Sequence, residues 1–271
     1  GATRWISIGG FTLQPAELLK LGFIIYVATW LSGMRDVITD TVKGTLPFVA
    51  IVGSVGFVML LQPDTDTFLI MGAAAMAMFV TAGGRWRDVG LMFVSAVLLL
   101  AIVAMVRPYI MDRLTTFLHP ERDPLGSGYQ IQQSLIAVGS GGFSGRGFGQ
   151  SIQKFEYLPE PIGDSIFAVY AEEFGFVGSS LLILLYLGFT FRGYKIAGQA
   201  PDLFGTLLVV GFMTLIICQA FLNIGAMLGV APLSGLPLPF ISHGGTALLA
   251  TLTMVGIVLN VSKYRETKRG A

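Results

Sequence analysis

Long uninterrupted apolar runs constrain this chain more than any motif does. Stretches at about 15–32, 45–62, 67–83, 88–106, 165–190, 204–228 and 246–262 are nearly free of charge. A helix needs ~20 mostly apolar residues to cross ~30 Å of hydrocarbon. Backbone in lipid must satisfy its own hydrogen bonds, which leaves helix as the form for such runs. Composition agrees: 54% of the residues are hydrophobic and 12% charged, against about 25% charged in soluble domains. The expected fold class is an all-α polytopic membrane protein with seven spanning helices.

The short connections carry the basic residues on one side only. Arg35 and Lys43 follow the first span, Arg85 and Arg87 the third, Arg192 and Lys195 the fifth. Lys263, Arg265, Lys268 and Arg269 follow the last. If the helices alternate, all four groups share a side, and the positive-inside rule makes it cytoplasmic. The other side then receives residues 1–14, the turn 62–66, the segment 107–164 and the loop 229–245. One missed or invented helix would scramble this parity.

The 107–164 segment is far longer than an ordinary connection, and such loops are functional or disordered. Its apolar content (Phe117, Tyr129, Ile131, Leu135, Phe143, Phe148, Phe155, Tyr157) argues against disorder. Within it, 129–138 has the pattern of a short amphipathic helix. The run Gly139–Gly149 follows no strand, so it is neither a Walker loop nor a dinucleotide fingerprint and reads as a flexible turn. A net charge of +1 gives no basic field for nucleic acid. Cys218 is the one cysteine, sits in an apolar run and reads as a packing residue. His119 and His243 lack metal-ligand spacing, so zinc is not expected.

Several motifs resemble one family at specific positions. Gly1–Ile6 with Gln14-Pro15-Ala16-Glu17 and Lys20-Leu21 is similar to its G-x-x-R-W-I … Q-P-[AS]-E-x-x-K-L start. Gln62-Pro63-Asp64 resembles its Q-P-D turn. Arg113 to Gln130, through Pro120, Asp123-Pro124 and Gly128-Tyr129-Gln130, resembles its R … F-x-x-P-x-x-D-P-x-G-x-G-Y-Q stretch. Leu158-Pro159-Glu160, Asp164 to Ala168 and Glu172-Glu173-Phe174-Gly175 resemble L-P-E-x-x-x-D-x-I-F-A … E-E-x-G. Gly235 to Gly245, with Pro239-Phe240-Ile241-Ser242-His243, resembles T-G-x-x-L-P-F-x-S-Y-G-G. Together these resemble the SEDS peptidoglycan glycosyltransferases over the whole chain, and the Pro-Glu-Pro-Ile-Gly-Asp version leans to the division (FtsW) and sporulation branch over the RodA branch. Asp66, Ser234 and His243 depart from the family pattern. The family has ten spanning helices. With no methionine at residue 1, the expectation is one SEDS membrane domain over 1–271, N-terminally truncated by three helices.

Asp164 precedes an apolar helix, where aspartate is a favoured N-cap. The resemblance implies instead that it is the catalytic carboxylate. The roles conflict, because helix N–H bonds lower a carboxylate pKa and weaken a base. The expectation is that Asp164 faces a cavity and is not fully engaged as a cap. Glu17 and Lys20 share a helix face and read as a structural ion pair or as part of an anionic headgroup site with Arg4. Arg107, Arg113 and Arg146 read as solvated loop cations or as pyrophosphate ligands, to which an arginine fork is suited. Glu160 is a second site carboxylate or a solvating group. Glu172 and Glu173 fall about two turns into a span, so at least one is expected to be buried and paired. The resemblance adds Gln130 and Ser242 as substrate-binding candidates.

What the resemblance implies is polymerisation of lipid II, a disaccharide-pentapeptide on undecaprenyl diphosphate, during cell division. The implied setting is the bacterial cytoplasmic membrane, with the 107–164 loop outside. A class B penicillin-binding protein and other division proteins are the implied partners. A divalent cation such as Mg or Mn stays open as a cofactor. A lipid II flippase, or a non-catalytic scaffold for a penicillin-binding protein, are the competing classes.

Overall fold

The computed structural model describes residues 6–8, 11–106, 108–122, 126–155 and 157–264. The apolar runs are helices: α1 (Pro15–Gly33), α2 (Leu46–Leu61), α3 (Thr65–Thr81) and α4 (Trp86–Val106). The 107–164 segment contributes α5 (Pro108–Leu118) and α6 (Ser127–Gly141). Then follow α7 (Ile166–Ala197), α8 (Leu203–Met227) and α9 (Gly245–Lys263). Six of these are long and apolar enough to cross a membrane, one of them counted with the π-helical turn that precedes α2. α3, at 17 residues, is apolar but shorter. The chain is a multi-pass membrane protein.

Two departures from the sequence reading are local. Ile6–Ile8 (β1) and Phe11–Leu13 (β2) pair antiparallel, Ile6 opposite Leu13 and Ile8 opposite Phe11. α6 is also longer than the 129–138 stretch expected. α4 shows why composition marks these helices as spans: Leu91, Phe93, Val94, Val97, Leu98, Leu99, Ile102 and Met105 are all exposed. Such a row of bare apolar side chains fits a lipid-facing surface, since monomers in water rarely expose large apolar patches.

The chain groups into two compact units. The first takes Gly1–Ser95, Phe189–Cys218 and Gly245–Ala271; the second takes Ala96–Gly188 and Gln219–Gly244. In the first, Phe48 of α2 and Phe79 of α3 have ring centroids 4.7 Å apart. Gly211 of α8 lets helices approach closely: a Cβ there would lie 2.6 Å from Met78 Sδ and 2.7 Å from Ile24 Cγ2. Several polar groups between these helices pair with one another, as lipid favours. The Thr45 hydroxyl donates to Asp88 at 2.9 Å, and Tyr194 and Thr214 share a bond of 2.9 Å.

In the second unit, Ile131 and Ala137 of α6, Phe167, Ala168 and Ala171 of α7, and Ile224 and Met227 of α8 are buried. The irregular 229–244 segment is satisfied by side chains. Gln219 Nε2 donates to the Pro237 carbonyl at 2.8 Å, Asn223 Nδ2 to the Leu236 carbonyl at 2.8 Å, and the Tyr186 hydroxyl to the Pro239 carbonyl.

Candidate functional site

The second unit holds a break in α7. Gly175 has φ 65° and ψ −162°, backbone open in practice to glycine alone. A break strands amides and carbonyls, each costing several kcal/mol in lipid. The glycine-rich stretch after α6 meets them. Arg146 and Gly147 N–H donate to the Glu172 and Glu173 carbonyls at 3.0 and 2.9 Å. Phe176 and Val177 N–H donate to the Gly142 and Phe143 carbonyls at 2.9 and 3.2 Å. A Cβ on Gly145 would lie 2.1 Å from the Glu173 carbonyl oxygen. Within the run Gly139–Gly149, residues 142–147 are therefore a tightly bonded splint across the break, where sequence suggested a flexible turn.

The carboxylates beside the break complete the splint. Glu172 and Glu173 are both buried. Glu172 accepts from Ser151 Oγ at 2.6 Å and from Ile152 and Gln153 N–H at 3.2 and 3.3 Å. Arg146 Nε lies 3.3 Å from it. Glu173 pairs with Lys154 Nζ at 2.7 Å. Removing one side of a buried ion pair typically costs ~3–5 kcal/mol. Arg146 is partly exposed, so Glu172→Ala is expected near the lower end, about 3 kcal/mol. The check is limited trypsinolysis, with faster cleavage at Arg146 and Lys154 than in the parent.

Past Lys154 the chain runs into the turn that carries Asp164. Four successive residues of this turn are held. The Ile162 carbonyl accepts from His243 N–H at 2.8 Å, and the Gly163 carbonyl from Ser242 Oγ at 2.7 Å. The Asp164 carbonyl accepts from Asn223 Nδ2 at 2.7 Å. Ser165 Oγ accepts from Gln130 Nε2 at 3.0 Å and donates to the Pro159 carbonyl at 2.8 Å. Glu160, at φ 48° just before a proline, occupies backbone that few non-glycine residues adopt. Its carbonyl accepts from Gly163 and Ser165 N–H at 3.0 and 3.2 Å, which holds it there.

The Asp164 side chain is half-buried. Burial pushes its pKa above the ordinary aspartate value, and the Glu160 charge adds to this. A bond from its own backbone N–H and the Arg113 charge oppose the rise. The net direction is that of a carboxylate able to take a proton, and away from the lowered value a full N-cap would give.

Of the residues singled out from sequence, Asp164, Arg113, Gln130, Glu160 and Ser242 lie together in the second unit. Arg113 also stacks over the Tyr109 ring at 4.9 Å. The Gln130 and Ser242 side chains are bonded within the turn network. Glu17 and Lys20 belong to the first unit, buried and paired at 2.7 Å. Arg4 and Arg107 lie outside the described residues. Among the described residues no group of three or more His, Cys, Asp or Glu is arranged to hold a metal ion. Sequence reasoning passed over Asn223, although an amide in an apolar span is itself a signal.

Comparison with known proteins gives one answer. The family model described as "Cell cycle protein", covering FtsW, RodA and SpoVE, matches residues 1–267. Stage V sporulation protein E of Bacillus subtilis is 43% identical over 97% of this chain and 72% of its own length. A probable peptidoglycan glycosyltransferase FtsW of Idiomarina loihiensis is 41% identical over 98% of this chain and 66% of its own. A chain from a solved peptidoglycan synthase complex, which coordinates polymerization and crosslinking, is 31% identical with TM-score 0.79, over 99% of this chain and 75% of that one. RodA of Thermus thermophilus is 27% identical with TM-score 0.66, over 99% of this chain and 71% of that one.

Proposed function

Because the chain belongs to the FtsW, RodA and SpoVE family of cell cycle proteins, we propose that it works as a peptidoglycan glycosyltransferase. The substrate is lipid II and the setting is septal wall synthesis in division. The observation that carries the reading is the Asp164 turn, a half-buried carboxylate of raised pKa on backbone held at four successive residues. The donor sugar is α-linked to diphosphate and the product bond is β, which fits one inverting displacement. The acceptor 4-hydroxyl oxygen attacks the donor anomeric carbon. Its proton passes to the Asp164 carboxylate, and the bond from carbon to diphosphate oxygen breaks with the electron pair leaving on the diphosphate. Arg113 is the described cation in electrostatic reach of Asp164 and is suited to that departing charge.

Polymerisation from purified lipid II, compared between the parent and Asp164→Asn, tests this. An enzyme loses glycan synthesis in the variant. A flippase keeps transport, and a scaffold is indifferent to the change; either result sinks the reading. A crosslinking transpeptidase of the class B penicillin-binding type is the proposed partner.

The proposed membrane is the bacterial cytoplasmic one, with 107–164 outside. Support comes from the basic residues of the short connections, which fall on alternate ones. In a Cys218→Ala background, a cysteine at Phe148, 83% exposed, is expected to react with a membrane-impermeant maleimide on intact spheroplasts. A cysteine at Arg87, with its side chain 70% exposed, is expected to react only after permeabilisation. The reverse pattern would invert the topology.

A further inference from the structure

Asn223 is fully buried in α8. Its Nδ2 carries two hydrogens, and two carbonyls take them, Asp164 at 2.7 Å and Leu236 at 2.8 Å. This fixes the orientation of the amide, since turned over its oxygen would face two other oxygens. Its Oδ1 is left buried with no hydrogen-bond partner. A buried unsatisfied acceptor costs ~1–3 kcal/mol, but an apolar residue of the same size would in turn take the donor from the Asp164 and Leu236 carbonyls. What the amide contributes therefore lies with its nitrogen.

Holding the 229–244 segment does not by itself require Asn223. Gln219, one turn earlier on α8, grips the Pro237 carbonyl next door at 2.8 Å. Ser242 and His243 grip residues 163 and 162. Among the described side chains, Asn223 is the one that donates to the backbone of Asp164 itself, with its second hydrogen anchored on Leu236.

We infer that Asn223 is a positioning residue, whose carboxamide ties the Asp164 peptide to the Leu236 peptide and so holds the Asp164 carboxylate at one depth and direction. This rests on the reading of Asp164 as the base. The charged groups acting on that carboxylate are Glu160 and Arg113, whereas the Asn223 amide bonds to the Asp164 and Leu236 carbonyls. Release of the Asp164 carbonyl lets the turn relax toward water, which lessens the burial that dominates the carboxylate's environment.

The test is steady-state polymerisation of lipid II against pH, with the full-length protein and four variants. Misplacing a reacting group by about 1 Å can cost ~10²-fold. Asn223→Leu is expected to lower kcat by about 10- to 100-fold with KM for lipid II within about twofold. Its acid limb is expected at lower pH than the parent's. Gln219→Leu, which loosens the same segment without touching Asp164, is expected to leave the limb in place. An unmoved limb and kcat in Asn223→Leu overturns the inference, as does the same shift in Gln219→Leu. If Asn223→Leu does not fold, Asn223→Ser, which keeps one donor, is read on the same quantities and by the same criteria. Asp164→Asn separates the failures. If it polymerises like the parent, the reading of the site falls and the positioning role with it; if it is inactive while Asn223→Leu is normal, only the positioning role falls.

Discussion

Asp164→Asn is expected to lower the polymerisation of lipid II by about 10²- to 10⁴-fold, the range a positioned general base contributes. The amide matches the carboxylate in size and leaves the backbone bonds to Asn223, Ser242 and His243 in place. What disappears is the ability to take the acceptor proton. The loss should therefore fall on kcat, with KM for lipid II little changed. The parent has a further signature in pH. A base works ionised, and burial raises the pKa of this one. Activity should then rise with pH through a limb above the ordinary aspartate value, and that limb should be absent from whatever activity Asp164→Asn retains. Glu160→Gln removes a like charge that raises the Asp164 pKa, so its limb should shift to lower pH. A limb that stays put in Glu160→Gln while kcat is normal would mean that another group titrates.

The spanning helices were legible because lipid leaves a long apolar run no other form. The sequence marks where each run begins and ends through its charges and prolines. The break in α7 was not legible, because Gly175 in an apolar run looks like any small packing residue. Its conformation depends on the 142–147 backbone, thirty residues upstream, lying against it, and no local pattern reports that. The same holds for the turn network. Asp164 stood out by its position before a helix, yet its neighbours Gln130, Asn223 and Ser242 come from three separate stretches. Asn223 and Gln219 are four apart on α8, so both amides share a face. That spacing was visible; the carbonyls they serve were not. Glu172 and Glu173 illustrate the opposite case. Two carboxylates inside a span must be paired, so burial was predictable, while the partners Ser151, Lys154 and Arg146 came only with the fold.

Gly175→Ala should be strongly destabilising. Its φ of 65° with ψ of −162° is strained for any residue with a Cβ, at ~1–3 kcal/mol. The new Cβ would lie 2.3 Å from the Gly145 nitrogen and 2.8 Å from the Phe143 carbonyl oxygen. Both are backbone atoms, so no side chain can swing aside. Relief requires the splint to move off, and that breaks the bonds from Arg146, Gly147, Phe176 and Val177. At about 1 kcal/mol each, these bring the total to roughly 5 kcal/mol. That rivals the ~5–15 kcal/mol by which whole domains are stable. The expected result is a melting temperature in detergent lower by about 10 °C or more, with rapid trypsin cleavage at Arg146. Gly139→Ala is the matched control. Gly139 lies in α6 with nothing within 4 Å of a Cβ, so alanine there should be neutral or stabilise by up to ~1 kcal/mol. Because the splint braces α7 and the Asp164 turn leads into α7, Gly175→Ala should also lose polymerisation while Gly139→Ala keeps it. A Gly175→Ala protein that melts like the parent and resists trypsin would show that the 142–147 stretch does not brace the broken helix.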